Sequence, residues 1–462
     1  MEFMLTNISK YIIIIFITAY TFYGFRSLGI SDVKAKSKIY KKMRNLIFLI
    51  HFTGYFVLFI NTKNEKIIIL YIGQLVIFSL TFFLYTWVYD NLSRLLLNNV
   101  ILFIVTGLII ITRLSFDMAV KHFAIISLGL IICIFIPIIM SNLKILDKFG
   151  WFYAIIGLLA LLSVSIIGEE FRGASNWIII KGFSIQPSEF VKIIFVFAIA
   201  SLLSYSTEFR HIVKVSALAG AHVLILVFQR DLGGALIFYV CYIIMLYVAS
   251  KKPGYFIAGL AAGIGAAFVA YYMFKHVRVR VVAWQDPLAD TIISNEGYQV
   301  SQSLFAISTG GWFGMGLTQG MPTSIPIVES DFIFSAICEE LGGIYGICLI
   351  LIIITTLVMS YNISSKIQGL FYKLIALGLS SILGFQGFLS VGGVTKFIPS
   401  TGVTLPFISY GGSSMLSSLA MFAIIEGIFV LNQDRIEEYE KSEQEKNKQK
   451  AIKPKKKKKR NR

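Results

Sequence analysis

Long apolar runs, following one another with only short polar breaks, set the strongest limit on how this chain can fold. A run of about 18 or more apolar residues is long enough to cross the hydrocarbon of a bilayer as a helix. Such runs recur along the sequence as unbroken blocks rather than as stripes on one helical face. Composition agrees: 56% of the 462 residues are hydrophobic and 15% are charged, against about 45–50% and about 25% in soluble domains. A water-soluble fold has nowhere to bury that much apolar surface. Inside lipid, a segment must satisfy its own backbone polar groups, which a helix does. The chain is therefore expected to be an all-α polytopic membrane protein.

Taken run by run, the sequence predicts roughly thirteen transmembrane helices. They lie near 11–30, 44–61, 66–89, 96–112, 121–140, 150–168, 188–206, 212–228, 232–250, 254–274, 332–359, 369–391 and 413–431. Lysine and arginine in short loops fix the orientation. If every run crosses, Lys34–Arg44, Lys144 and Lys148, Arg210 and Lys214, Lys251 and Lys252, and the C-terminal tail share one side, which is the cytoplasmic one. The N-terminus then lies outside, and the longer polar connections near 169–187, 275–331 and 392–412 all face outward.

A net charge of +17 raises the question of nucleic acid, but its distribution answers it. Much of the excess sits in Lys34–Arg44 and in the tail from Lys453 to Arg462. Basic clusters beside apolar spans act as topology signals and contacts for anionic lipid, so no nucleic-acid partner is expected. Cys133, Cys241, Cys338 and Cys348 all fall in apolar stretches without a CxxC pair and read as packing thiols. The five histidines show no metal-binding spacing. The first run, Tyr11 to Tyr23, lacks a small-residue cleavage pattern and reads as an anchor. Residues 432–462 turn polar and lysine-rich, and are expected to form a disordered basic tail on the cytoplasmic side.

Ionisable groups in or beside apolar spans are costly and tend to be functional or paired. Asp286 and Asp290 stand in the outward segment 275–331, where a carboxylate is able to abstract a proton from a sugar hydroxyl if an apolar wall tunes it; a solvated loop acid is the competing reading. Glu189 and Lys192 open a span just after Pro187 and Ser188. Their i,i+3 spacing puts them on one face, as a cap with an ion pair or as a catalytic couple. Asp331 precedes Glu339 and Glu340 in the run 332–359. On a continuous helix the two glutamates lie roughly 12–13 Å deeper, where they must face a polar interior or be neutral. Glu426 is a similar isolated acid in the last span. Arg278, Arg280 and Lys396 are outward cations that either snorkel to lipid phosphate or grip a pyrophosphate. The glycine-rich stretch Gly310–Gly316 lacks the strand–turn–helix setting of a dinucleotide turn, and that reading is rejected.

Five ordered segments carry a more specific signal: IQPSEFVK (185–192), QRDLGGAL (229–236), DPLAD followed by GYQVSQSLFAISTGG (286–311), SDFIFSAICEELGG (330–343) and VGGVTKFIPSTGVTLPFISYGGSS (391–414). Together they resemble the SEDS family of bacterial cell-wall proteins, the FtsW/RodA/SpoVE group, over about residues 96–431. The resemblance implies a ten-helix core there, about three additional N-terminal helices in 1–95, and a large outer loop at 275–331. It further implies a peptidoglycan glycosyltransferase of the bacterial plasma membrane that polymerises lipid II and works beside a class B penicillin-binding protein. The family's essential loop aspartate maps onto Asp290, with Asp286 as second choice because the gap to Gly297-Tyr298 is longer than usual. Its PSE glutamate and following lysine map onto Glu189 and Lys192. Arg230 replaces a frequent proline and Ser400 a frequent leucine. The pyrophosphate leaving group calls for cations, which Lys192, Arg278, Arg280 or a divalent metal ion would supply.

Overall fold

The computed structural model describes residues 2–142, 146–171, 174–180, 183–289 and 296–452. Twelve helices among them are long and apolar enough to cross a membrane. The chain enters through α1 (Glu2–Gly29), α2 (Val33–Thr62) and α3 (Lys66–Val88). It continues through α4 (Arg94–Leu114), α5 (Phe116–Cys133) and the short α6 (Ile136–Asn142). The expected run at 150–168 is α7 (Gly150–Ile167), whose apolar part is shorter than the other twelve.

Local chemistry sets the boundaries. Asp32 caps α2 by accepting from the amides of Lys34 and Ala35 at 3.2 and 3.0 Å, and Ser115 both ends α4 and caps α5. Such caps satisfy amides that a helix leaves unpaired.

A small antiparallel sheet, β1 (Glu169–Phe171), β2 (Ala174–Ile180) and β3 (Phe183–Ile185), follows α7 and leads into α8 (Pro187–Tyr205), which starts with proline in its first turn. A search for membrane spans passes over these strands, because the apolar run in β2, Trp177–Ile180, is only four residues long. Then come α9 (Phe209–Phe228), α10 (Leu232–Ser250), α11 (Pro253–Met273), α12 (Lys275–Gln285) and α13 (Glu296–Gly310). α11 buries no residue and stands at the periphery.

The expected span at 332–359 is two helices, α14 (Ile333–Leu341) and α15 (Gly343–Lys366). Between them Gly342 adopts φ 93°, a conformation that side-chain-bearing residues avoid. Glu339 and Glu340 therefore sit in a short helix before the spanning one, not deep inside it. The last helices are α16 (Leu370–Val394) and α17 (Gly412–Ile452). In place of the expected disorder after residue 431, α17 runs on to Ile452. Extending an existing helix incurs no nucleation cost, and its Glu, Lys and Gln residues are good helix formers.

α4 is the axis of the bundle, buried from Leu95 to Thr112. At Gly107 a Cβ would stand 2.2 Å from the carbonyl oxygen of Ile408, so only glycine lets the 395–411 loop press against this helix. The N-terminal helices pack on the same axis. The Tyr20 hydroxyl donates to Asn99 Oδ1 at 2.8 Å. A buried chain runs across α2, α3 and α4, and its donors can be assigned in order. Thr112 Oγ1 donates to Leu108 O, so the Tyr55 hydroxyl donates to Thr112 at 2.9 Å. Gln74 Nε2 donates to Tyr55 at 2.7 Å, which turns Gln74 Oε1 toward the Nε2–H of His51 at 2.9 Å. Tyr55→Phe leaves Gln74 and Thr112 short of a partner in the core, and should destabilise the protein by about 1–3 kcal/mol. Thermal unfolding in detergent is the measurement, and an unchanged Tm would refute the assignment.

Candidate active site

Three connections gather at one end of the bundle: the β1–β3 segment, the 275–331 segment and the 395–411 loop. α8 delivers the first two candidates. With Pro187 fixing its first turn, Glu189 and Lys192 fall on its buried face. Lys192 Nζ lies 2.8 Å from Glu189 Oε2 and donates to Gln386 Oε1 on α16 at 3.0 Å. Ser417 on α17 donates to the same Glu189 oxygen at 2.8 Å. Gln386 Nε2 reaches the carbonyl and hydroxyl of Thr404, each at 3.2 Å, and Thr404 pairs with Ser414 at 2.6 Å. The ion pair is thus one member of a closed polar ring spanning α8, α16, α17 and the 395–411 loop. A buried charge pair is tolerated when its remaining donors and acceptors are met in this way.

α12 holds the loop from the other side. Arg280 donates to Thr401 O at 3.1 Å, and Trp284 Nε1 donates to Lys396 O at 3.1 Å. Asp331 and Arg280 both approach Gly402: a Cβ there would lie 3.4 Å from Asp331 Oδ2 and 4.0 Å from Arg280 Nη2. Lys396 itself adopts φ 59°. Arg278 turns away, donating to Tyr272 O at 3.0 Å and stacking over Tyr271. Burial lowers the pKa of His276, helped by the positive charges of Arg280 and Arg230, so this mouth of the site is rich in cations.

Asp286 ends α12 and accepts from the amide of Leu288 at 3.3 Å in an exposed turn. Asp290 lies outside the described residues, yet both sides of its segment are held. Ser301 Oγ donates to Pro287 O at 2.9 Å. On α13, Ser303 donates to Val394 O at 2.7 Å and so ties the segment to the end of α16.

Glu339 and Glu340 form a separate node. Arg113, at the end of α4, donates to Glu340 Oε1 at 2.9 Å and to Gly320 O at 3.2 Å. Glu339 Oε1 accepts from the amide of Met321 at 2.8 Å. The acids therefore shape the 314–321 loop. Burial pushes the Glu340 carboxyl up to about 7 despite the opposing pull of Arg113. Because its folded pKa is raised, its contribution to stability is full below the unfolded value near 4.5 and is lost as pH rises through 7. The Tm of the wild type should fall between about pH 4.5 and 7 relative to Glu340→Gln; parallel pH curves for the two proteins would contradict this.

Gln386, Thr404, Ser414, Ser417 and Arg113 were not singled out by the sequence. Gln386 carried a usable signal, being an amide in the middle of an apolar span. Among the described residues no group of three or more His, Cys, Asp or Glu side chains is placed to hold a metal ion.

The chain matches the model of a family described as cell cycle proteins, FtsW/RodA/SpoVE, over residues 93–433. It is similar to the peptidoglycan glycosyltransferase RodA of Mycobacterium tuberculosis, with 37% identity over 61% of this chain and 64% of that protein. It thus spans just under two thirds of that relative's length. Stage V sporulation protein E of Bacillus subtilis is 34% identical over 61% of this chain and 77% of that protein. Among solved structures, a chain of a peptidoglycan synthase complex that coordinates polymerization and crosslinking aligns with TM-score 0.62 and 23% identity, covering 74% of this chain and 98% of that one. The rod shape determining protein RodA of Thermus thermophilus aligns with TM-score 0.53 and 21% identity, over 73% and 96%. At these identities the structural matches speak for the fold.

Proposed function

We propose that this chain, which belongs to the FtsW/RodA/SpoVE family of cell cycle proteins, is a peptidoglycan glycosyltransferase that joins lipid II units into glycan at the outer face of the bacterial plasma membrane. The observation that carries this reading is the polar ring around Glu189 and Lys192. It underlies the same loop that Arg280 and Trp284 grip from above, which brings buried charge and outward cations to one end of the bundle. Asp290 is the general base. It takes the proton of the acceptor 4-hydroxyl, whose oxygen attacks the anomeric carbon of the growing chain's terminal sugar. The bond to undecaprenyl pyrophosphate breaks with inversion, giving a β-1,4 link. General-base help of this kind is worth about 10²–10⁴ in rate.

The leaving pyrophosphate gains negative charge, which positive groups fixed before the reaction stabilise best. Arg280 and Lys396, at the mouth, are the binding candidates, and Lys192 adds its charge from beneath the loop. Glu189 orients Lys192. Arg278 would have to leave Tyr271 and Tyr272 to join them. Asp331 helps hold the loop at Gly402, whereas Glu339 and Glu340 support the 314–321 loop. A lipid II flippase would need buried acids along a path across the membrane, whereas one oxygen of each glutamate is bonded at this loop. A class B penicillin-binding protein is the expected partner, and the lysine-rich C-terminus faces the cytoplasm beside anionic lipid. Purified protein, with its partner, should convert lipid II into glycan; lipid translocation without polymer would reverse the assignment.

A further inference from the structure

Glu426 belongs to no part of that machinery. It lies in α17 toward the lysine-rich end of the bundle, fully buried. Its Oε2 accepts from the amide of Ser93 at 3.1 Å, while Oε1 has no partner. Two more buried oxygens here are also without one: Ser93 Oγ and the Tyr85 hydroxyl. Tyr85 packs its ring 6.2 Å from that of Phe422, one turn before Glu426 on the same face. The neighbouring helix is interrupted at this level, since α5 ends at Cys133 and α6 begins at Ile136. The Tyr89 hydroxyl donates to Ile134 O in the gap. α17 touches this break directly: a Cβ on Gly427 would lie 2.8 Å from Pro137 Cα. Just beyond, a cavity of about 480 Å³ opens among Tyr89, Asn91, Pro137, Ile138, Val430 and Asp434.

Among the described residues no Lys, Arg or His pairs with Glu426. Arg94, next to Ser93 in the chain, donates instead to Ser37 Oγ at 3.0 Å, and Arg435, on the same helix as Glu426, lies over the ring of Tyr372. A bridging water would serve a free oxygen but would not balance the charge of an ionised carboxylate, which is expensive in a membrane-embedded core. The donors are oxygens, the type that hard cations prefer. The C-terminal end of the interrupted α5 adds partial negative charge, an arrangement that discontinuous membrane helices use for ions. One carboxylate balances one positive charge, whereas a divalent ion would leave an excess.

We propose that Glu426, Ser93 and Tyr85 bind a monovalent alkali-metal cation. The site is independent of glycosyl transfer, and so is its test. Thermal unfolding of the full-length protein in detergent is followed in NaCl, in KCl and in choline chloride at equal ionic strength. Sodium or potassium should raise the wild-type Tm over choline by roughly 2–4 °C, saturably, and Glu426→Gln should abolish the difference. Ser93→Ala, which keeps the amide but loses Oγ, should raise the half-saturating concentration about tenfold. If Glu426→Gln does not fold, the Ser93→Ala titration decides, and an unchanged half-saturation overturns the site. It is also overturned if choline serves as well as the alkali ions, if Glu426→Gln responds like the wild type, or if wild-type stability follows pH but not the cation, which would mean a neutral carboxyl.

Discussion

Asp290→Ala is expected to lower glycan synthesis from lipid II by about 10²–10⁴, and Asp286→Ala to leave it within a few-fold of wild type. The two acids are only four positions apart, so the difference rests on what each side chain already does. Asp286 is exposed and accepts an amide two residues on, at Leu288, the habit of an aspartate that closes a helix and starts a turn. Removing it loosens an exposed turn and should change stability by no more than about 0.5 kcal/mol. Asp290 follows this turn in a segment whose flanks are pinned, through Ser301 to Pro287 and through Trp284 to the Lys396 carbonyl. On the described side of that segment, Trp284 reaches the loop that sits on the Glu189–Lys192 ring. The assay compares both variants with wild type at equal membrane abundance, reading glycan length on gels. Loss in Asp286→Ala with activity retained in Asp290→Ala would transfer the base to Asp286, and activity in both would remove the proposed chemistry.

Much of this architecture was legible because the bilayer simplifies folding. Eleven of the thirteen expected apolar runs each became one helix, and the runs at 121–140 and 332–359 each became two, since hydrocarbon leaves a lone segment no other way to satisfy its amides. One cause of failure is that hydropathy has no sense of backbone breaks. The run 332–359 is apolar on both sides of Gly342, so nothing in its composition separates α14 from α15, and Glu339 and Glu340 were placed too deep. The sheet after α7 has a different cause: its apolar run, Trp177–Ile180, is too short to register as a span. At the site, Glu189 and Lys192 stood out because charge is rare in a span, and their i,i+3 spacing foretold the contact. Their partners did not stand out. Ser414, Ser417 and Thr404 are small polar residues common in membrane helices, and only the crossing of α8, α16 and α17 shows that they close a ring. Arg278 and Arg280 look alike in sequence. The turn of α12 separates them, sending Arg280 to Thr401 and Arg278 back to its own helix.

The largest stability effect should follow from cutting the Glu189–Lys192 pair on one side only. Glu189→Gln strands a buried ammonium whose remaining bond is to Gln386 Oε1, and Lys192→Met strands a carboxylate whose remaining donor is Ser417. Leaving one buried charge unpaired costs about 3–5 kcal/mol, so each single variant should unfold at clearly lower temperature. The double variant Glu189→Gln with Lys192→Met removes both charges from a packed interior, where an apolar replacement is often neutral or better. Its Tm should therefore recover most of the loss. Activity should not recover with it, because the ammonium proposed to stabilise the departing pyrophosphate is gone. That split separates two roles that single substitutions confuse. If the doubly substituted protein regains glycan synthesis along with stability, the pair only holds α8, α16 and α17 together, and Lys192 has no electrostatic part in the reaction. If its Tm stays as low as those of the single variants, the ring depends on the charges themselves and not merely on their balance.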